Sequence, residues 1–301
     1  MVYTVTFNPA VDYVMHTGKL KKGGVNRSSN EEILYGGKGI NVSAVLSELG
    51  VKSIALGFVA GFTGQAIENG VKAMGVETDF VHLEKGCSRI NVKVISDDVT
   101  ELNGQGPEID SAALNELFRK LNRIESGDVL VLAGSIPKSM PPDVYELILS
   151  RLSDRDLRIV VDAEKLLLLN VLKYKPFLVK PNIDELGAMF GVEIHNDDEA
   201  ALYAERLRDM GAQNVLVSMA DRGALLIDEN RNRHKLGVCH GFVRNAVGAG
   251  DSMVAGFIAG IMQGDFEYAL RLGTACGGAT AFSDGLAKKE YISKLLWQLN
   301  E

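Results

Sequence analysis

Hydrophobic and polar positions follow two periods along this chain. Val129-Leu130-Val131-Leu132, Ile159-Val160-Val161 and Val215-Leu216-Val217 are short continuous apolar runs, which predict strands buried on both faces, as in a parallel sheet covered by helices. Between them the spacing is helical. Val42, Val45, Leu46 and Leu49 fall at i, i+3, i+4 and i+7, and Gly50 stands where it can end the helix. Leu114, Leu117, Phe118 and Leu121 repeat this spacing behind Asp110-Ser111, which can cap the first turn. Strands alternating with helices over short connections predict a doubly wound α/β/α sandwich.

Two segments interrupt the alternation. Residues 12–35 show no helical period, and Ser88 to Asn103 reads as a hairpin turning at Asp97-Asp98. Long non-helical excursions inside a compact domain are usually functional, and these two can form a small β lid beside the main sheet. The chain has no internal repeat, low-complexity tract or Ser/Pro-rich linker. Residues 1–301 are therefore expected to be one domain, with lid segments at about 12–35 and 88–103.

Composition narrows the partners. With 46% hydrophobic and 24% charged residues, the chain can bury a substantial core and is neither disordered nor a disulfide-stapled miniprotein. Cys87, Cys239 and Cys276 are widely spaced and lack a CxxC pair, which argues against zinc and against a disulfide framework. A net charge of -7 without a long basic run argues against nucleic acid or an anionic membrane as partner. It leaves room for an anionic small substrate, which responds to a few Lys and Arg inside one cleft. Met1 to Phe7 reads as a strand rather than a leader, and the apolar stretch Met253 to Met262 is too short and glycine-broken to span a bilayer. A soluble cytoplasmic protein is the expectation.

Candidate chemistry clusters in a few motifs. In Asn245-Ala246-Val247-Gly248-Ala249-Gly250-Asp251-Ser252, small residues run into a helix whose first N–H groups can hold an anion, and Asp251 can take a proton from an attacking hydroxyl. An ordinary aspartate at a helix start is the bland alternative. Gly36-Gly37-Lys38-Gly39-Ile40-Asn41 is not a phosphate-binding Walker loop, because Gly39 follows Lys38 where Ser or Thr is needed. It is not a dinucleotide fingerprint either, since Val42 occupies the third glycine position and no apolar strand leads into it. Lys38 and Asn41 can still hold a phosphate or sugar hydroxyls, or the loop can be a plain turn.

Asp12 is expected in the loop at the carboxyl end of the first strand, where open α/β sheets bind ligands and a carboxylate can accept two vicinal hydroxyls, or else as a plain solvated loop aspartate. Arg89, Asn91 and Lys93 alternate along one face of a lid strand; Arg89 can clamp a phosphate, while Lys93 reads as an edge charge. Lys180-Pro181-Asn182-Ile183-Asp184-Glu185 follows an apolar strand. Asn182 and Glu185, three apart, can organise a hydrated Mg²⁺ or form a capping box. Ser218 and Gly223 border a turn open to phosphate oxygens. His16, His82, His195, His234 and His240 show no ligand spacing.

In this order, the motifs resemble those of the PfkB (ribokinase-like) family of carbohydrate kinases, particularly its phosphosugar kinases. Gly36 to Ser43 looks like the family's first signature and Asn245 to Gly256 like its second. The resemblance spans nearly the whole chain. It implies ATP-dependent phosphorylation of fructose 1-phosphate at its 6-hydroxyl, with tagatose 6-phosphate as the alternative acceptor. It also implies Asp251 as base, with the amides of Gly248, Ala249 and Gly250 as the anion hole. Asp12, Gly37, Asn41 and Asn91 would meet the sugar, and Lys38 and Arg89 its phosphate. Lys180, Ser218, Ala220, Gly223 and Gly250 would face ATP, Asn182 and Glu185 would organise Mg²⁺, and the lid would pair two subunits as a homodimer. Two residues depart from the pattern: Ala220 replaces a glycine of the nucleotide turn, and Ala246 replaces a threonine before the second signature's glycines. A sugar-phosphate sensor on a kinase scaffold is a different reading, and it would require a damaged catalytic set.

Overall fold

In the computed structural model, which describes residues 1–299, the chain enters on strand β1 (Val2–Thr6). It passes Asn8-Pro9 and leaves for two strands of a smaller sheet, β2 (Ala10–His16) and β3 (Asn30–Gly36). Helix α1 (Lys38–Glu48) brings it back to β4 (Ser53–Ala60), α2 (Gly61–Ala73) and the short strands β5 (Glu77–Thr78) and β6 (Val81–Leu83). A second excursion supplies β7 (Arg89–Ile95) and β8 (Val99–Asn103). Alternation resumes with α3 (Ser111–Leu121), β9 (Val129–Ala133), α4 (Val144–Arg151), β10 (Arg158–Asp162), α5 (Lys165–Val171) and β11 (Leu178–Val179). Two helices, α6 (Ile183–Phe190) and α7 (Asp197–Asp209), lead to β12 (Asn214–Ser218), followed by β13 (Ala224–Ile227) and β14 (Arg233–Leu236). Three helices close the chain: α8 (Ala249–Gln263), α9 (Phe266–Ala281) and α10 (Lys289–Gln298).

The main sheet runs in the order β14-β13-β12-β11-β10-β9-β1-β4-β5, with β6 also paired to β4. From β12 to β5 every pairing is parallel, whereas β13 and β14 are antiparallel additions at one edge. The period-two rule of a strand splits its residues between two cores. Leu130, Leu132, Val161, Val215 and Val217 pack in one core with residues of α3 to α7. Val129, Val131, Val160, Leu178 and Leu216 pack in the other with α1, α8, α9 and α10. The result is the three-layer sandwich that the continuous apolar runs predict, because each strand must be covered on both faces. Asp110 accepts from Ala113 N–H at 2.8 Å and caps α3 as expected.

The two interrupting segments form a separate four-stranded sheet, ordered β3-β2-β7-β8. Its central pair is parallel and its outer pairs antiparallel. This arrangement corrects two expectations. Asp12 does not stand in a loop after β1 but is the third residue of β2, since the chain starts a new strand directly after Pro9. A strand, β3, also does lead straight into Gly37; it is largely exposed, so it carries no apolar run to reveal it. Among the described residues no helix is long and apolar enough to cross a membrane.

Candidate active site

The small sheet and the carboxyl ends of the main strands enclose a cavity of about 960 Å³, and every site residue expected from the sequence lines it. A smaller cavity of about 370 Å³ shares Gly37, Lys38, Arg89 and Glu185 with it and adds Asn8, Gly134, Ser135 and Glu164. Parallel strands deliver this arrangement because their carboxyl ends share one edge of the sheet.

Asp251 lies in the first turn of α8 and is buried. Asn41, one turn into α1, donates its Nδ2–H to Asp251 Oδ2 at 2.8 Å, joining the two glycine motifs across 210 residues. Burial, followed by the negative charge of Asp162, pushes the Asp251 carboxyl up to about 6, against Asn41, Lys38 and Lys180, which favour its ionised form. A carboxylate tuned toward neutral pH suits a general base.

The loops need their glycines. Gly37 has φ 138°, and a Cβ there would stand 2.5 Å from Thr6 Cγ2. Gly248 has φ 81° and caps the N-terminus of α8. The expected anion hole requires one correction: the Ala249 N–H is already given to the Ala246 carbonyl at 3.2 Å, so it is not available to a ligand. The N–H groups of Gly248, Gly250 and Asp251 make no such bond and remain for an anion.

In the small sheet, Asn91 donates to Asp12 Oδ1 at 2.7 Å, so these polar residues of neighbouring strands form one unit. Arg89 gives its Nε–H to the Asn8 carbonyl at 3.0 Å, which leaves its two terminal nitrogens for another acceptor. Lys93 lies 3.8 Å from Glu101 of the neighbouring strand; β7 is an inner strand of the small sheet, so the edge-charge role expected of Lys93 does not apply. His16, His82 and His234 sit beside Glu32, Glu68 and Asp228 respectively.

The lysines meet an aspartate that the sequence did not single out. Lys38 Nζ lies 3.2 Å and Lys180 Nζ 3.5 Å from Asp162 Oδ1, at the end of β10. Burial opposes the charge on Asp162, yet Lys180 and Lys38 together hold its carboxyl below its ordinary value. Asp162, Ser135 and Glu164 all follow apolar runs, and the rule that pointed to Lys180, a polar residue just past a parallel strand, could have found them. Thr274, whose buried hydroxyl has no partner, also lines the large cavity, from α9. It carried no readable signal.

Asn182 and Glu185 form a complete capping box: Asn182 Oδ1 accepts from Glu185 N–H at 2.7 Å, and Glu185 Oε2 accepts from Asn182 N–H at 2.8 Å. Both still line the cavity, and Glu185 keeps a second carboxylate oxygen outside the cap. Among the described residues no cluster of three or more His, Cys, Asp or Glu side chains could cage a metal. One hard oxygen donor beside a phosphate site fits Mg²⁺, which retains waters and binds mainly through substrate phosphates.

Ser218 ends β12, and the turn after it contains Ala220 and Gly223, with Ala220 at φ 50°. The glycine-like conformation is therefore kept although the side chain disfavours it, at about 1 kcal/mol. Ala220→Gly is expected to raise the melting temperature by about 2 °C, partly offset by the freer unfolded chain, as measured by thermal denaturation. A fall in Tm would show that the methyl group packs usefully.

Similarity to known proteins agrees with this geometry. Residues 5–290 match the model of the pfkB family carbohydrate kinases. The chain belongs to that family. It is 47% identical over 297 residues to the 1-phosphofructokinase of Bacillus subtilis, covering 98% of this chain and 97% of that one. It is 38% identical to the D-tagatose-1-phosphate kinase of Bacillus licheniformis, covering 98% and 96%. The structure of Escherichia coli phosphofructokinase-2 in complex with substrates and products superposes with a TM-score of 0.94 at 26% identity, covering 100% of this chain and 99% of that one.

Proposed function

We propose that this pfkB-family kinase transfers the terminal phosphoryl group of ATP to the 6-hydroxyl of fructose 1-phosphate, yielding fructose 1,6-bisphosphate and ADP. The observation that carries this reading is the small cavity bordered by Lys38, Arg89 and Ser135, which shares residues with the Asp251 cavity. Such a pair of sites suits a sugar with a phosphate at one end and the reacting hydroxyl at the other. The similarity to the Bacillus subtilis 1-phosphofructokinase supports fructose 1-phosphate as that sugar.

In this scheme Asp12, Asn91, Gly37 and Asn41 hold the sugar and Arg89 its phosphate, while Lys38, which lines both cavities and is paired with Asp162, turns to the transferring group rather than to the sugar phosphate expected from the sequence. Asp251 takes the proton of the 6-hydroxyl as its oxygen forms the new bond to the terminal phosphorus, and the bridging P–O bond of ATP breaks to release ADP. The free N–H groups of Gly248, Gly250 and Asp251, with Lys180, face the charge on the transferred group. Ser218, Ala220 and Gly223 border the nucleotide. Glu185, with Asn182 as its helix cap, would hold Mg²⁺, which would shield the nucleotide phosphates when bound.

The small sheet would act as the lid. Ile33, Tyr13, Val92 and Leu102 lie opposite one another across its four strands, on the face away from Asp12 and Asn91, and Ile33 and Leu102 are exposed. This exposed apolar row supports the homodimer reading, in which a second copy would cover it.

A coupled ADP-release assay tests the activity. Fructose 1-phosphate should give the highest kcat/KM among fructose 1-phosphate, tagatose 1-phosphate, tagatose 6-phosphate, fructose 6-phosphate and fructose. Unphosphorylated fructose should be poorer by about 100-fold, the worth of one charge-assisted contact. Preference for the unphosphorylated sugar would overturn the phosphate site, and no ADP with any sugar would revive the sensor reading.

A further inference from the structure

Two lysines from elements 142 residues apart in sequence (Lys38 and Lys180) converge on a single carboxylate oxygen, Asp162 Oδ1. The side chain of Asp162 is 2% exposed and that of Lys180 5%. The other oxygen, Asp162 Oδ2, is buried without any hydrogen-bond partner. A buried ion pair that serves stability alone uses its remaining lone pairs, because each one left over costs desolvation energy. This cluster is incomplete, and it borders the cavity beside the phosphoryl-transfer site. Lys180 also reaches the first turn of α8: a Cβ on Gly250 would stand 3.2 Å from its Nζ, next to the free N–H groups. Two ammonium groups gathered around one anionic oxygen present the surroundings that an oxygen of a transferring phosphoryl group requires.

Resting on the kinase reading above, we propose that Asp162 is a positioning residue whose carboxylate stands in for the transferring phosphoryl group, keeping Lys38 and Lys180 gathered until ATP enters and takes over their contacts. Without this counter-ion the two ammonium groups would repel each other and move apart. The cost of bringing them together is then met on folding rather than at the moment of reaction, which is the general route to electrostatic preorganisation. The base shares this field: Asp162, Lys38 and Lys180 act on Asp251 while Asn41 bonds it, and Glu185 acts on Lys38.

A double-mutant cycle tests the proposal, using Asp162→Asn, Lys180→Met and the combined variant. We would measure kcat and KM with fructose 1-phosphate, together with the Kd of a non-hydrolysable ATP analogue by calorimetry. Asp162→Asn should lower kcat by about 100-fold, with the acceptor KM changed less than about threefold, and its acidic limb in the kcat/KM profile should move to lower pH. Placed on Lys180→Met, the same change should cost less than about fivefold, since one of the groups it positions is gone. Strict additivity would overturn the proposal. So would full recovery of Asp162→Asn by raising Mg²⁺, which would assign the carboxylate to the metal. If Asp162→Asn fails to fold, Asp162→Glu keeps the charge but displaces it by one methylene; a loss of at least about tenfold in kcat is expected, and an unchanged kcat would overturn the role. If the wild-type protein releases no ADP with any sugar, the kinase reading fails by itself, and the cycle is read on analogue Kd, where additivity again overturns the positioning role.

Discussion

Asp251→Asn is expected to fold normally, to bind fructose 1-phosphate and ATP with near-normal affinity, and to lose about 10²- to 10⁴-fold in kcat, the range that a positioned general base contributes. Asparagine is isosteric and can still accept from Asn41, so the contact between α1 and α8 survives while the proton acceptor is lost. The wild-type pH profile provides an independent check. Burial and the charge of Asp162 raise the Asp251 carboxyl to about 6, and a base works only when deprotonated. Activity should therefore be full above this value and fall as pH drops through it, about tenfold per unit in kcat/KM, whereas an unperturbed aspartate would keep activity down to about pH 4. Near-normal turnover in Asp251→Asn, or a flat profile down to pH 4.5, would remove Asp251 from this role.

Arg89→Met should produce the second large effect and the most selective one. Arg89 lines both cavities and its Nε–H is committed to the Asn8 carbonyl, which leaves the two terminal nitrogens for a ligand. Losing a charge-assisted contact of about 1.5–3 kcal/mol should lower kcat/KM for fructose 1-phosphate by about 10- to 150-fold, mainly through KM. Methionine retains most of the apolar stem, so the strand should remain in place. Steady-state kinetics with fructose 1-phosphate and with fructose would decide the matter: the second sugar should be affected by less than about threefold, and equal losses for both would mean that Arg89 shapes the lid rather than reading the phosphate.

The glycine motifs and the residues after apolar runs were legible because they depend on local rules. Glycines where the backbone must turn sharply, as at Gly37 and Gly248, and polar residues at the carboxyl ends of strands, as at Lys180, declare themselves in a few neighbouring positions. Asp12 was legible as a ligand-facing carboxylate but not as a strand residue, because β2 is half-exposed and carries little apolar period. Asp162 was missed altogether. A lone aspartate after Val160-Val161 has no motif around it, and what distinguishes it is the arrival of Lys38 and Lys180 from elsewhere in the chain.

By itself the sequence determined the buried strands of the main sheet and the amphipathic helices between them, and which residue types stand ready for chemistry. Both follow from periods and spacings within a dozen residues. The tertiary structure alone decided that these residues share one cavity, that the Ala249 N–H is spent and its neighbours' are free, and that Asp251 is poised near neutrality. Desolvation and Coulomb interactions act through space, so the charges that tune Asp251 come from positions 38, 162 and 180, which no local spacing connects.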